Sequence, residues 1–147
     1  MHDNHVCHRD LKPDNLMIRF EGSEKEARLK VIDFNIASDF SKTGDVIRGG
    51  QGLRHWSAPE TRKSLTYTSS SDLWTIGCVL YYMCSGEKPF PEECKPESGS
   101  LCIKTATENY SKEADVTLLR DLLEKLLKED PTERLSLDEA LKHEWIR

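Results

Sequence analysis

From Leu73 to Cys84 the apolar side chains Leu73, Trp74, Ile76, Val79, Leu80, Tyr81 and Met83 fall on nearly every side of a helical period. A helix of this kind has to be enclosed by the rest of its chain. Thr75 and Gly77 interrupt the apolar run, and it falls short of the ~20 residues that a bilayer crossing needs. It is therefore expected at the centre of a folded domain, not in a membrane. The 147 residues suffice for one such domain, and 37% hydrophobic against 32% charged residues leave little apolar surface beyond a single core.

The flanking segments show how that core is built. Leu16-Met17-Ile18 and Leu29-Lys30-Val31-Ile32 are short apolar runs separated by the charged stretch Glu21–Glu26, which predicts a two-strand hairpin with a long turn. From Asn35 to Ser57 periodicity is lost and Gly44, Gly49, Gly50 and Gly52 intervene, the composition of a long functional loop. Ser69, Ser70 or Ser71 is the expected N-cap of the central helix, with Asp72 in its first turn and Gly86 at its end. Leu118, Leu119, Leu122, Leu123, Leu126 and Leu127 recur at spacings of three and four, predicting a helix over Val116–Lys128 whose stripe belongs to the core. Asp130-Pro131 ends it. Ser136-Leu137-Asp138-Glu139 then has the pattern of a capping box opening a short last helix, with Leu137, Ala140 and Leu141 inward. The expected fold is mainly α with one small β-hairpin.

Charge and cysteine content exclude some functions. Lys and Arg total 21 against 26 Asp and Glu, a net charge of −5, which argues against binding nucleic acid through a generally basic surface. The five cysteines, Cys7, Cys78, Cys84, Cys94 and Cys102, form no C-x-x-C pair, and no signal-peptide pattern opens the sequence. A reducing compartment is expected, the cytoplasm or alternatively the nucleus. His2, His5, Cys7 and His8 lie close together, but their spacing matches no finger or zincin pattern and predicts no metal site. Trp56, Trp74 and Trp145, with Cys78 and Cys84, read as packing residues.

The segment His8-Arg9-Asp10-Leu11-Lys12-Pro13-Asp14-Asn15 reads H-R-D-L-K-P-x-N, Asp33-Phe34-Asn35 follows the second predicted strand, and Ala58-Pro59-Glu60 closes the long loop. In this order the three resemble the eukaryotic protein kinase family, in its serine/threonine branch because of Lys12. Asp72, Trp74 and Gly77 match the family's D-x-W-x-x-G, and His143-Glu144-Trp145 resembles the H-x-W that ends its domain. The resemblance runs from about residue 3 to the last residue and implies the C-terminal, helical lobe of the kinase fold. Residues 8–15 would be the catalytic loop, 33–60 the activation segment and 69–147 the helical subdomain.

Phosphoryl transfer requires an aligned hydroxyl and cations over the phosphates more than covalent help from the protein. By resemblance, Asp10 would accept the proton of the substrate hydroxyl and Lys12 would contact the transferring phosphate. Asn15 and Asp33 would supply hard oxygen ligands to Mg2+ carried with ATP. Arg9 would sense a phosphate on the activation segment, with Ser38, Ser41 and Thr43 as the candidate acceptors. His8 would be structural, Asp72 would anchor the catalytic loop, and Glu60 with Arg134 would form the buried pair that ties down the end of the activation segment.

The resemblance implies a serine/threonine protein kinase acting on a protein Ser or Thr hydroxyl with ATP and Mg2+. Its Gly-rich loop and V-A-I-K lysine do not occur ahead of His8, so activity of this segment by itself is expected to be low. Asn35 stands where the family has the last Gly of D-F-G, and Leu53 where it has a threonine. These departures favour the alternative, a non-catalytic, pseudokinase-like binding module or scaffold. A regulatory protein or a separate N-terminal lobe is the implied partner.

Overall fold

The computed structural model describes residues 1–42, 44, 46–48, 56–90 and 113–147. In chain order the strands and helices are β1 (Val6–Cys7), β2 (Leu16–Glu21), β3 (Ser23–Val31), β4 (Ser38–Asp39), β5 (Ile47–Arg48), α1 (Pro59–Ser64), β6 (Thr66–Tyr67), α2 (Ser69–Ser85), α3 (Glu113–Leu126) and α4 (Leu137–Leu141). Two 3-10 turns, His2–Asn4 and Pro13–Asn15, precede β1 and β2.

The central helix forms as its sequence requires. Leu73, Trp74, Cys78, Val79 and Tyr81 of α2 are buried, and Gly86 ends the helix in the left-handed conformation at φ 74°. The N-cap is Thr68, one residue earlier than any of the three serines expected. Ser71 serves it instead, its hydroxyl accepting the Thr68 amide at 3.1 Å. Ile76, Tyr82 and Met83 remain exposed, so enclosure of α2 is incomplete among the described residues.

α3 supplies the second wall. Leu119, Leu122, Leu123, Leu126 and the following Leu127 are buried; Leu119, Leu123 and Leu127 pack with Trp56, Trp74, Cys78 and Phe90, whereas Leu122 and Leu126 pack with Leu73 and Ala140. Trp145 lies against both groups and Cys84 against the first, in keeping with their reading as packing residues. In α4 only Ala140 turns inward. Leu137 and Leu141 are exposed, contrary to expectation, and Leu135, just before the helix, packs in their place. A five-residue helix spans little more than one turn, so it can bury one narrow stripe only. Its capping box is present, with the Ser136 amide donating to Glu139 Oε2 at 2.9 Å.

The β structure exceeds the single hairpin. β2 and β3 pair antiparallel, but the charged stretch expected as a long turn is mostly strand, and the chain reverses at Gly22, φ 87°. Two further two-stranded pairs, β1 with β4 and β5 with β6, tie the first residues and the approach to α2 to the segment after Asp33. Strands of two residues have no period to detect. Thr43, Gly49, Gly50, Gly52, Leu53, Cys94 and Cys102 lie outside the described residues. No described helix is long and apolar enough to cross a membrane.

α2 and α3 approach closely where Gly77 presents no side chain. A Cβ there would stand 2.9 Å from Leu127 Cδ2 and 3.0 Å from Leu126 Cβ. Gly77→Ala is therefore expected to overpack the interface and cost about 1–3 kcal/mol, against the gain in helix propensity. Equal chemical-denaturation midpoints for variant and parent would show that the helices can part without cost.

Candidate active site

The fold gathers its polar residues around the first turn of α2. Asp72 is fully buried and accepts bonds on both carboxylate oxygens. Oδ2 takes the His8 amide at 2.9 Å and the His2 ring Nε2 at 2.9 Å. Oδ1 takes the Arg9 amide at 3.1 Å and the Tyr67 hydroxyl at 2.7 Å. Burial first, then the adjacent Asp72 charge, raises the Tyr67 hydroxyl well above its ordinary pKa of 10.0, so it remains a donor.

Both amides meet the one carboxylate where the chain reverses at Arg9, which is left-handed with φ 70°. A non-Gly residue in that region is held there by its surroundings. The reversal turns the chain so that residues 10–15 fold back on themselves. Lys12 Nζ donates to Asp10 Oδ2 at 2.6 Å, and Asn15 Nδ2 donates to the Asp10 carbonyl at 2.7 Å and to Asp10 Oδ2 at 3.1 Å. The bond to Asp10 holds the Lys12 ammonium above its usual pKa of 10.5 despite partial desolvation. With its NH2 committed to Asp10, Asn15 leaves its amide oxygen as the atom open to a cation.

His8 connects this loop to the end of β3. Its Nε2 donates to the Ile32 carbonyl at 2.9 Å, its Nδ1 accepts the Asp10 amide at 3.3 Å, and its ring lies 4.7 Å from that of Phe34. The Ile32 amide in turn donates to the Asn15 carbonyl at 3.0 Å. Asp33 follows, exposed and left-handed at φ 63°. Asn35, where the family has a Gly, is not in the left-handed region.

Of the three hydroxyls considered for regulation, Ser38 faces Arg9, whose Nη1 donates to Ser38 Oγ at 2.8 Å. Ser41 is exposed, its amide donating to Asp39 Oδ1 at 2.7 Å, and Thr43 lies outside the described residues.

Glu60 and Arg134 meet in a two-pronged pair, Nη1 to Oε1 at 2.9 Å and Nη2 to Oε2 at 3.1 Å. Arg134 also donates to the carbonyls of Ser70 and Lys128 and lies 5.2 Å from the Trp74 ring centre. Ser71 Oγ donates to Glu60 Oε1 at 2.8 Å. Burial pushes the Glu60 carboxyl up, but the bond and charge of Arg134, with Ser71, outweigh it and hold the pKa below 4.5.

The geometry thus unites Asp10, Lys12 and Asn15 in one loop, places Asp33 beside it through His8, and sets Glu60 with Arg134 apart as a brace. Two members of the Asp72 cluster were not anticipated, His2 and Tyr67. His2 lies 70 residues from Asp72, a separation that local spacing does not reveal, and Tyr67, five residues away, sits in a two-residue strand with no pattern to mark it.

The protein kinase domain family matches residues 1–146. Calcium-dependent protein kinase 15 of Oryza sativa subsp. japonica is 36% identical over 99% of this chain and 27% of its own length. Serine/threonine-protein kinase GRIK1 of Arabidopsis thaliana is 33% identical over 99% of this chain and 35% of its own length. Ribosomal protein S6 kinase alpha-2 of Homo sapiens is 32% identical over 99% and 20% respectively. The chain therefore spans about a third or less of the relatives it matches.

Removing one partner of the Glu60–Arg134 pair strands the other. Arg134→Ala is expected to cost about 3–5 kcal/mol, read as a fall in denaturation midpoint. Because the folded pKa of Glu60 is depressed, the pair contributes fully above pH 4.5 and is lost as pH falls through the lower folded value. Glu60→Gln should remove that part of the acid sensitivity; an unchanged acid-unfolding curve would contradict the assignment.

Proposed function

This chain belongs to the protein kinase family, and from that premise we propose that it is the helical lobe of a serine/threonine protein kinase that transfers the γ-phosphate of ATP to a protein hydroxyl. The observation that carries the reading is the Asp10–Lys12–Asn15 loop, in which an ammonium and an amide both lie within hydrogen-bonding distance of one carboxylate. In this reading Asp10 Oδ2 accepts the proton of the incoming Ser or Thr hydroxyl. Lys12 sits on that same oxygen in the resting geometry and moves toward the transferred phosphate, where its positive charge offsets developing negative charge.

The Asn15 amide oxygen and the Asp33 carboxylate are hard donors that suit Mg2+, and Asp33 is exposed enough to reach it. Mg2+ with ATP supplies the phosphoryl group and neutralises its charge. Asn15 fixes the loop through its two bonds to Asp10, and Asp72 fixes it from below through the His8 and Arg9 amides. Ser38 is the favoured regulatory acceptor, since a phosphate on its oxygen would face the Arg9 guanidinium.

The test is phosphotransfer from labelled ATP to Ser/Thr peptides by the longest form of the protein that cells make. Asp10→Asn is expected to lower the rate about 10²–10⁴-fold, and Ser38→Ala to remove any activation by an upstream kinase. Transfer unaffected by Asp10→Asn, or none from a form that carries a Gly-rich loop and its lysine, would defeat the reading.

A second reading, a binding module, rests on the hairpin. The register Leu16↔Val31, Ile18↔Leu29 and Phe20↔Ala27 puts these six residues on one face. Leu16 joins the core, but Ile18, Phe20 and Leu29 are 61%, 58% and 64% exposed. Such a face invites cover by another polypeptide segment. Ile18→Lys with Leu29→Lys is expected to abolish concentration-dependent association of the 147-residue chain in sedimentation; a parent that remains monomeric at high concentration would count against an adhesive face.

A further inference from the structure

Beneath the loop lies a donor cluster none of whose side chains is assigned to the reacting atoms. His2 Nε2, Cys7 Sγ and an Asp72 carboxylate oxygen lie within 4.8 Å of one another, although their positions in sequence suggest nothing of the kind. His5 and His8, the other members of the sequence cluster, turn away, His5 to an edge-on contact with Phe40 at 5.5 Å and His8 to Ile32 and Phe34. The structure replaces two histidines with one distant aspartate. One imidazole, one thiol and one carboxylate form a mixed N, S and O set of the kind that takes zinc and its spectroscopic stand-in, cobalt.

We propose that His2, Cys7 and Asp72 bind one Zn2+ ion, which braces the catalytic loop from beneath. Tetrahedral zinc, with bonds of about 2.3 Å to sulfur and about 2.0–2.1 Å to nitrogen or oxygen, sets its donors about 3.3–3.6 Å apart. His2 Nε2 and Asp72 Oδ2, now 2.9 Å apart, would part by a few tenths of an ångström, and the sulfur, at most 4.8 Å from either, would close by about 1 Å. His2, half-buried in a short 3-10 turn, can supply its own part of this adjustment, and rotation of the Cys7 thiol about its Cα–Cβ bond the sulfur's. The backbones that carry Cys7 and Asp72 are held by β1 and α2, and both side chains are fully buried. The partly open side at His2 leaves the fourth position to water, as at three-ligand zinc sites.

The ion costs the loop little. Binding replaces the His2 ring bond to Asp72; the amides of His8 and Arg9 and the Tyr67 hydroxyl keep theirs and become the outer shell that orients the carboxylate. On binding, the Cys7 thiol releases its proton to solvent, and the His2 ring, whose Nε2 proton faces Asp72 in the unbound geometry, gives up that proton and carries one on Nδ1 instead, away from the metal. Because Asp72 also holds the backbone on both sides of the His8–Arg9 peptide, occupancy of the site is felt one residue from Asp10.

The test is titration of the reduced chain with Co2+ alone, followed by Zn2+. One equivalent of cobalt is expected to produce a sulfur-to-cobalt charge-transfer band in the near ultraviolet, which zinc then abolishes. Cys7→Ser should remove the band, and this comparison separates the site from Cys78, Cys84, Cys94 and Cys102. His2→Gln, which leaves the buried thiol in place and serves where Cys7→Ser does not fold, should weaken cobalt binding at least tenfold. A parent without the band, a band that survives Cys7→Ser, or affinity unchanged by His2→Gln would each overturn the proposal.

Discussion

A single buried carboxylate organises this molecule. An ionised Asp72 without partners would be untenable in a site closed to water. Four donors, two from the backbone and two from side chains, make it tenable. The arrangement runs in both directions, because those donors are thereby fixed. The amides of His8 and Arg9 converge on it beside the left-handed Arg9, two successive donors on one carboxylate as where a backbone receives an anion. Here the anion belongs to the protein. The functional loop is in this sense an appendage of α2, and its shape is as firm as the helix that carries Asp72.

α2 holds that position because it is packed from several directions. Gly77 admits Leu126 and Leu127 against the helix backbone, and Trp74 lies between Phe90, stacked at 5.3 Å, and the Arg134 guanidinium. Arg134 then reaches Glu60 in α1, so the brace and the anchor share one helix: Ser71 bonds to Glu60 and the next residue is Asp72. A disturbance at α1 has a path of two adjacent residues to the loop that bears Asp10.

The sequence made long elements legible and short ones obscure. The leucines of α3 and the apolar run of α2 announce helices because many residues repeat one period, and the capping pattern at Ser136 located the start of α4 to the residue. The same reasoning turned Leu137 and Leu141 inward and was wrong, since a helix of one turn follows its neighbours more than its own pattern. β1, β4, β5 and β6 hold two residues each, and their pairing is tertiary. Within the site, Asp10, Lys12, Asn15, Asp72, Glu60 and Arg134 were readable as motif positions and lie where contact is possible. His2 was not, because its carboxylate partner comes from 70 residues away, nor was Tyr67, which no motif marks although Asp72 is only five residues on.

The distance along the chain between the loop and its anchor has a consequence for how the protein is made. Residues 8 and 9 wait for a partner 64 and 63 positions later, and Glu60 waits 74 positions for Arg134. During synthesis the ribosome releases residues 8–15 early, yet the carboxylate that holds the His8 and Arg9 amides arrives only with α2, and α1 is not clamped until Arg134 follows. Long-range closures of this kind are slow and leave intermediates with apolar surface uncovered. The nascent chain thus passes through a window in which Trp74 and Cys78 of α2 lack the α3 leucines that later cover them, the state in which a chaperone has the most to grip.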